Sequence, residues 1–211
     1  MDTVYLLRHG IRLDVDDPVY CAHYLKRSDD VPLSARGNRQ AWETADFLRD
    51  RNIGLIYASP FFRALQTAHP VAETLGLSIK VENGFMEMLR PETFGGYPDI
   101  LPVDERAIVF PRVDSMYQSC SDASYPELDF ETSVVSRVNR ALQPILGSSD
   151  SRTILIVGHG RSVEAVGHLL QPGSLRVFEK KMCALNKYTF RGGIWRHDFG
   201  TTEHLTEETV P

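Results

Sequence analysis

The sequence predicts an α/β fold: a three-layer sandwich with a mostly parallel central sheet, helices on both faces and an inserted lid segment. Two observations carry this prediction. Short apolar, β-prone runs at Val4-Tyr5-Leu6-Leu7, Leu55-Ile56-Tyr57-Ala58 and Thr153-Ile154-Leu155-Ile156-Val157 each stop at a polar loop. Each is followed by a stretch of helical character, with Ala41, Ala45 and Leu48 recurring after the first, Leu65, Ala68, Ala72 and Leu75 after the second, and a segment to Leu170 after the third. In sheets built this way ligands bind at the carboxyl ends of the strands. Arg8-His9-Gly10, the run from Ser59 to Arg63, and Gly158-His159-Gly160 all fall there.

The remaining elements follow in order. Asp14 to Asp30 loses periodicity, carries Pro18 and several acids, and is expected to be a loop. Ser34 is placed to cap a helix over Ala35 to Arg51. Gly76 closes the helix that begins after Ser59-Pro60, and Pro70 inside it should kink or split it, because proline removes a backbone donor. Ser78 to Val81 reads as a third strand. The segment from about 84 to 129 holds five of the twelve prolines together with Phe94-Gly95-Gly96-Tyr97, and this composition suits an insert folding over a site. Glu131 to Leu146 returns to helical spacing through Val134, Val138, Leu142 and Ile145. Cys183 to Phe190 and Ile194 to Phe199 form a hairpin turning at Gly192-Gly193, and the tail from Thr201 is expected to fray.

A chain of 211 residues, 42% of them hydrophobic, can form one domain over 1–211 with a sizeable core. Its net charge of -5 argues against direct nucleic-acid binding, which needs an excess of Lys and Arg. Cys21, Cys120 and Cys183 are odd in number and widely spaced, which suggests neither a disulfide framework nor a thiolate metal site. The apolar run Val4 to Leu7 is too short for a signal segment or a membrane span. A cytoplasmic or nuclear protein is the expectation, without a membrane partner. The histidines lack the His-x-x-x-His or carboxylate spacing typical of zinc, so neither metal nor cofactor is expected.

The strand-end residues suit one chemistry. Displacing the alcohol of a phosphate monoester needs a nucleophile, cationic donors for the phosphoryl oxygens and an acid for the leaving group. His9 can attack through one ring nitrogen if the other keeps its proton on a backbone carbonyl, and Gly10 leaves room for close approach. Arg8, Arg12 and Arg63 offer permanently charged forks for phosphate oxygens, and His159 completes the cradle. Glu87 is the available acid, and burial beside Phe85, Met86 and Met88 would help it hold a proton. Singly, each residue has a structural or solvent-exposed reading; His23, His69, His168, His197 and His204 are left as structural or exposed.

Together, Leu7-Arg8-His9-Gly10, Ser59-Pro60 with Arg63-Ala64-Leu65-Gln66-Thr67-Ala68, Glu87, and Val157-Gly158-His159-Gly160 resemble the histidine phosphatase superfamily, also called phosphoglycerate mutase-like. The resemblance spans nearly the whole chain, and it implies a phosphohistidine on His9, phosphate bound by Arg8, Arg63 and His159, and Glu87 as proton donor. Arg8-His9-Gly10-Ile11-Arg12 with Asp14 resembles the branch containing the suppressors of T-cell receptor signalling and the steroid-phosphate phosphatases, in which Arg12 is a further phosphate ligand. Asp30-Val31-Pro32-Leu33-Ser34 through Leu48, Ser59-Pro60-Phe61-Phe62-Arg63, and Glu87 with Arg90-Pro91 also look like the phosphatase-like subunit of the RNA polymerase III initiation factor and its stand-alone fungal relatives. Mutases carry Ser or Thr and then Asn after Arg-His-Gly; Ile11-Arg12-Leu13-Asp14-Val15 departs from that and argues against mutase activity.

The sequence therefore points to a metal-independent phosphatase acting on a phosphorylated small molecule or phosphopeptide. The competing reading is a non-catalytic binding or assembly module, with a homodimer or protein-complex partner left open. Phe94, Tyr97 and Pro98 lean the substrate toward an aromatic or apolar ester.

Overall fold

The computed structural model describes residues 1–148, 152–173, 178–207 and 209–210, with the backbone alone for Tyr24. Its centre is a six-stranded sheet. The strands are β1 (Thr3–Arg8), β2 (Leu55–Ala58), β3 (Ile79–Val81), β4 (Thr153–Gly158), β5 (Leu185–Arg191) and β6 (Ile194–Thr201), in the order β3-β2-β4-β1-β5-β6. The first four run parallel; β5 returns antiparallel beside β1, and β6 pairs antiparallel with β5. The sheet is thus mixed but mostly parallel, as the sequence predicts. Glycines at positive φ, Gly192 (61°) and Gly193 (81°), turn the hairpin between β5 and β6.

Helices cover both faces. Along β1 the side chains alternate: Tyr5 and Leu7 join the core under α3 (Ala35–Leu48) and α4 (Phe62–Leu75), while Val4 and Leu6 join the core under α6 (Ser136–Gly147) and α7 (Gly160–Leu170). That two-sided burial is why β1 and β4 read as unbroken apolar runs rather than alternating ones. A wide helical turn over Phe130–Val135 leads into α6.

Local expectations are corrected for the 14–30 stretch, for a split at Pro70 and for the tail. The stretch from Asp14 to Asp30 is not all loop: it holds α1 (Leu13–Asp16) and α2 (Pro18–Tyr24), the latter capped by Asp17, whose carboxylate accepts from Tyr20 N at 2.9 Å. Surface helices this short bury little, so no apolar period announces them. Pro70 does not split α4, which runs unbroken to its left-handed cap at Gly76. One missing backbone bond is offset by burial of Ala68, Val71 and Ala72 around it. The segment 84–129 is largely irregular and contributes α5 (Val103–Val109).

The tail does not fray at Thr201. His204 Nε2 donates to Thr44 Oγ1 at 3.0 Å, since that hydroxyl already gives its proton to the Gln40 carbonyl. Met182 N donates to the Val210 carbonyl at 2.8 Å, and Thr209 Oγ1 donates to the Met182 carbonyl at 2.6 Å. Nδ1 of His204 is buried with no partner among the described residues. Protonating it would place an uncompensated charge there, and burial holds the imidazole down at about 4. The folded-state value lies below the free-imidazole value of about 6.5, so this contribution is complete above pH 6.5 and is lost as pH falls toward 4. Urea unfolding at pH 7 and pH 4.5 should show an acid-induced loss of stability that shrinks by about 2–3 kcal/mol in His204→Gln.

Candidate active site

Three strand ends meet because β4 lies between β1 and β2. In register, Arg8 pairs with Gly158 and Ala58 with Val157. His9 N then donates to the Gly158 carbonyl at 3.0 Å, and Ser59 N donates to that of Val157 at 2.9 Å. His9, Ser59 and His159 are thereby set side by side at the carboxyl edge of the sheet.

The loop after β1 is held close against α3. A Cβ on Gly10 would lie 2.8 Å from the Gly37 carbonyl oxygen, and one on Gly37 would lie 2.1 Å from that of Ile11, so side chains at either position would drive the two backbones apart. Gly10 N donates to Thr67 Oγ1 at 3.1 Å and Ile11 N to Gln40 Oε1 at 3.1 Å, which ties the loop to α4 and α3. Ser34 caps α3 as expected, accepting from Gly37 N at 3.1 Å. The start of α4 is capped from a distance: the buried Asp30 carboxylate accepts from Phe62 N at 2.7 Å and from Leu101 N at 3.0 Å.

His9 is 1% exposed, and its Nδ1 lies 2.8 Å from the Gly10 carbonyl. A carbonyl only accepts, so the proton sits on Nδ1 and the lone pair on Nε2. Burial, and then the charges of Arg63 and Arg8, hold this imidazole well below its usual range. It is therefore neutral. His159 lies at a ring-centroid distance of 5.2 Å from it, wholly buried, with Nε2 2.7 Å from Ser59 Oγ and Nδ1 3.8 Å from Glu87 Oε2. Burial followed by Arg63 and His9 keeps it neutral as well.

The guanidiniums surround this pair. Arg63 is 3% exposed and lies 4.5 Å from the Phe61 ring centroid; burial pushes it down to about 10, which leaves it charged at neutral pH. Burial also lowers Arg8, whose Nη1 donates to the Lys180 carbonyl. Arg12 is further out and is held by Asp14, Nε to Oδ1 at 2.9 Å. Arg8, Arg12, Arg63 and Glu87 all line an open cavity of about 700 Å³. All six residues singled out from the sequence thus converge. Glu87 departs from expectation in one respect: its side chain is 23% exposed rather than buried, and its Oε1 accepts from Met88 N at 2.9 Å. The neighbouring Phe85 and Met86 turn into the core instead. Of the insert residues expected to cover the substrate, Phe94 lines the cavity; Tyr97 and Pro98 do not. Among the described residues no group of three or more His, Cys, Asp or Glu is arranged to hold a metal ion.

Sequence reasoning missed what fixes Glu87. Arg137 on α6 is 1% exposed, and its guanidinium clamps the Glu127 carboxylate bidentately at 2.7 and 2.9 Å. Its remaining donors reach the carbonyls of Gly84 at 2.7 Å, Met86 at 3.1 Å and Glu87 at 3.3 Å, while Glu127 Oε2 accepts from Leu89 N at 2.9 Å. The strip carrying Glu87 is thereby pinned from both sides. In sequence Arg137 sits between Val134 and Val138 as an ordinary surface arginine of an amphipathic helix, with no signal of burial.

Fold and site together define an α/β protein built around a buried histidine at the end of its first strand, with guanidiniums around it. The family model of the histidine phosphatase superfamily (branch 1) matches residues 4–200, and the chain belongs to that superfamily. It is 27% identical over 209 residues to the uncharacterized phosphatase PhoE of Bacillus subtilis (strain 168), covering 98% of each chain. It is 35% identical over 95 residues to the transcription factor tau 55 kDa subunit of Saccharomyces cerevisiae, a match to 44% of this chain and 22% of that subunit. The ecdysone phosphate phosphatase from Bombix mori, solved with tungstate, superposes with a TM-score of 0.76 at 20% identity, covering 99% of this chain and 95% of that one, which shows a shared fold. No helix of the described residues is long and apolar enough to cross a membrane.

Because Glu127 has no exposure to fall back on, Arg137→Met should cost about 3–5 kcal/mol by leaving a buried carboxylate unpaired. Replacing both partners, Arg137→Met with Glu127→Leu, should recover part of that loss in denaturant titrations.

Proposed function

We propose that this chain is a metal-independent phosphatase that hydrolyses phosphate monoesters through a phosphohistidine on His9. The observation that supports this most directly is the Nδ1–H bond from His9 to the Gly10 carbonyl, which leaves a neutral Nε2 lone pair among the guanidiniums of Arg8 and Arg63. Membership of the superfamily and the full-length likeness to a protein named as a phosphatase support the same reaction.

The chemistry divides into two displacements. His9 Nε2 attacks phosphorus; the P–N bond forms as the P–O bond to the alcohol breaks, and Glu87 gives its proton to the departing oxygen. Glu87, now a carboxylate, takes a proton from an attacking water; the P–N bond breaks, inorganic phosphate leaves and His9 returns to its neutral form. Arg8, Arg12 and Arg63 stabilise the charge on the phosphoryl oxygens throughout, the role a metal ion fills in other phosphatases. His159 hydrogen-bonds the same oxygens from the β4 side, held in orientation by Ser59.

Turnover of para-nitrophenyl phosphate should persist in EDTA, be inhibited by vanadate, and fall about 10³-fold or more in His9→Ala. Quenched turnover should leave an acid-labile, alkali-stable phosphate on the native protein and none on His9→Ala. Both imidazoles sit well below the usual 6.5, so the nucleophile stays deprotonated at and below that pH, and kcat/KM for para-nitrophenyl phosphate, which needs no proton from Glu87, should hold from pH 8 to below 6.5 before its acid limb begins. A limb beginning above pH 7 would contradict the neutral nucleophile. Glu87→Gln should slow alkyl phosphates more than para-nitrophenyl phosphate, whose leaving group needs no proton.

A further inference from the structure

Three backbone groups that serve the end of β1 come from one distant turn, Lys180 to Ala184. The Lys180 carbonyl accepts from Arg8 Nη1, Cys183 N donates to the His9 carbonyl at 2.9 Å, and the Ala184 carbonyl accepts from Arg8 N at 3.2 Å. Nη1 of Arg8 is thereby committed to the protein, while its Nε is buried with no partner among the described residues and the side chain lines the cavity. The turn therefore sets how the Arg8 guanidinium meets a phosphoryl oxygen. His9 depends on it as well: the carbonyl held by Cys183 is one peptide away from the Gly10 carbonyl that fixes the imidazole tautomer.

This turn does not hold itself. Cys183 has φ of 57°, a left-handed conformation that a residue other than glycine keeps only where its surroundings enforce it. The start of the turn is fixed by Glu179, whose Oε1 accepts from Lys180 N at 2.9 Å and from Lys181 N at 3.2 Å. Buried Asn186 in turn grips the Glu179 backbone, accepting from its N at 3.0 Å and donating to its carbonyl at 2.9 Å. The middle of the turn is held by the C-terminal segment. Thr209 Oγ1 donates to the Met182 carbonyl and Met182 N donates to the Val210 carbonyl, so both polar backbone groups of the residue before Cys183 find their partners there. Met182 and Thr209 are both buried, and water does not replace these bonds without cost. The segment reaches the turn along α3, where His204 bonds Thr44, Thr206 N donates to Glu43 Oε2 at 3.3 Å and Glu207 pairs with Arg39 at 2.9 Å. None of these tail residues lines the cavity.

We infer that Thr209 is a positioning residue for the phosphoryl site: by locking the Lys180–Ala184 turn it aligns the Arg8 guanidinium and the His9 loop. This rests on the phosphatase reading above. The coupling runs both ways, since whatever tightens the tail on Met182 aligns Arg8, and an anion held by Arg8 must tighten the tail on Met182 by the same factor.

Thr209→Val keeps the shape of the side chain and removes its donor, whereas Thr209→Ser keeps the donor. With para-nitrophenyl phosphate, well below the thermal midpoint of each protein, kcat/KM should fall about tenfold or more in Thr209→Val and stay within about twofold of native in Thr209→Ser. Vanadate inhibition should weaken by a similar factor in Thr209→Val, because Arg8 meets the same oxygens in that transition-state mimic. A lowered midpoint with native kcat/KM and native vanadate inhibition would overturn the inference, as would equal losses in the two variants. If Thr209→Val does not fold, amide exchange in the native protein decides. Vanadate should slow exchange of Met182 N–H, bonded to Val210, more than that of Leu205 N–H, whose bond to the Thr202 carbonyl lies outside the turn; equal slowing would overturn the coupling. An absence of turnover in the native protein would instead remove the phosphatase reading, and this inference with it.

Discussion

Everything at the carboxyl edge of this sheet depends on keeping two imidazoles neutral beside two buried guanidiniums. Desolvation alone would disfavour all four charged forms, but it does not act on them equally. Imidazole has an accessible neutral state near physiological pH and yields to burial; guanidinium does not and stays charged. The same burial therefore produces a lone pair on His9 and undiminished positive charge on Arg63 and Arg8 around it. The bond from His9 Nδ1 to the Gly10 carbonyl then decides which nitrogen carries that lone pair. Move the loop after β1 by an ångström and both the tautomer and the shielding change.

That requirement explains why the surroundings are so heavily tied. Thr67, Gln40 and Asp30 contribute side-chain acceptors to backbone N–H groups of the strand-end loop, the start of α4 and the inserted segment. The bare Gly10 and Gly37 let the loop and α3 come within contact distance. Arg137 and Glu127 do for the Glu87 strip what these groups do for His9. None of these residues lines the cavity itself. Each converts a polar atom that would otherwise be buried and unsatisfied into a positional constraint.

How far this was legible in the sequence follows from the same physics. Strands buried on both faces produce runs such as Thr153 to Val157, and loops that stop them stand out, so the α/β class and the convergence of Arg8, His9, Arg63 and His159 could be read directly, whereas Glu87, at no strand end, was placed with them only by the family resemblance. What could not be read is whatever depends on long-range partners. Arg137 and Arg140 look alike on one helix, yet one is buried in a clamp and the other is not, because only the fold brings Glu127 and the Gly84 carbonyl to the first. Glu87 was expected to be buried because its neighbours are apolar; the chain turns those neighbours inward and the carboxylate toward the cavity. The tail lacks hydrophobic periodicity, yet it docks through single polar contacts from His204 and Thr209 that leave no pattern.

A chain of net charge -5 that attracts a dianion must do so locally. With six cations against Asp14, Asp29, Glu87 and Glu164, the cavity is positive while the surface as a whole is negative, and a concave site with low-dielectric walls concentrates that difference at its mouth. The elements that supply it separate by origin. Charges nearest the reacting centre come from strand ends fixed by the sheet and from the start of α4. Arg90, Thr93 and Phe94 come from the 84–129 segment, whose irregular backbone is free to vary without disturbing the sheet. The sheet and the start of α4 thus fix His9, Arg8 and Arg63, and the inserted segment supplies Glu87 and the outer wall.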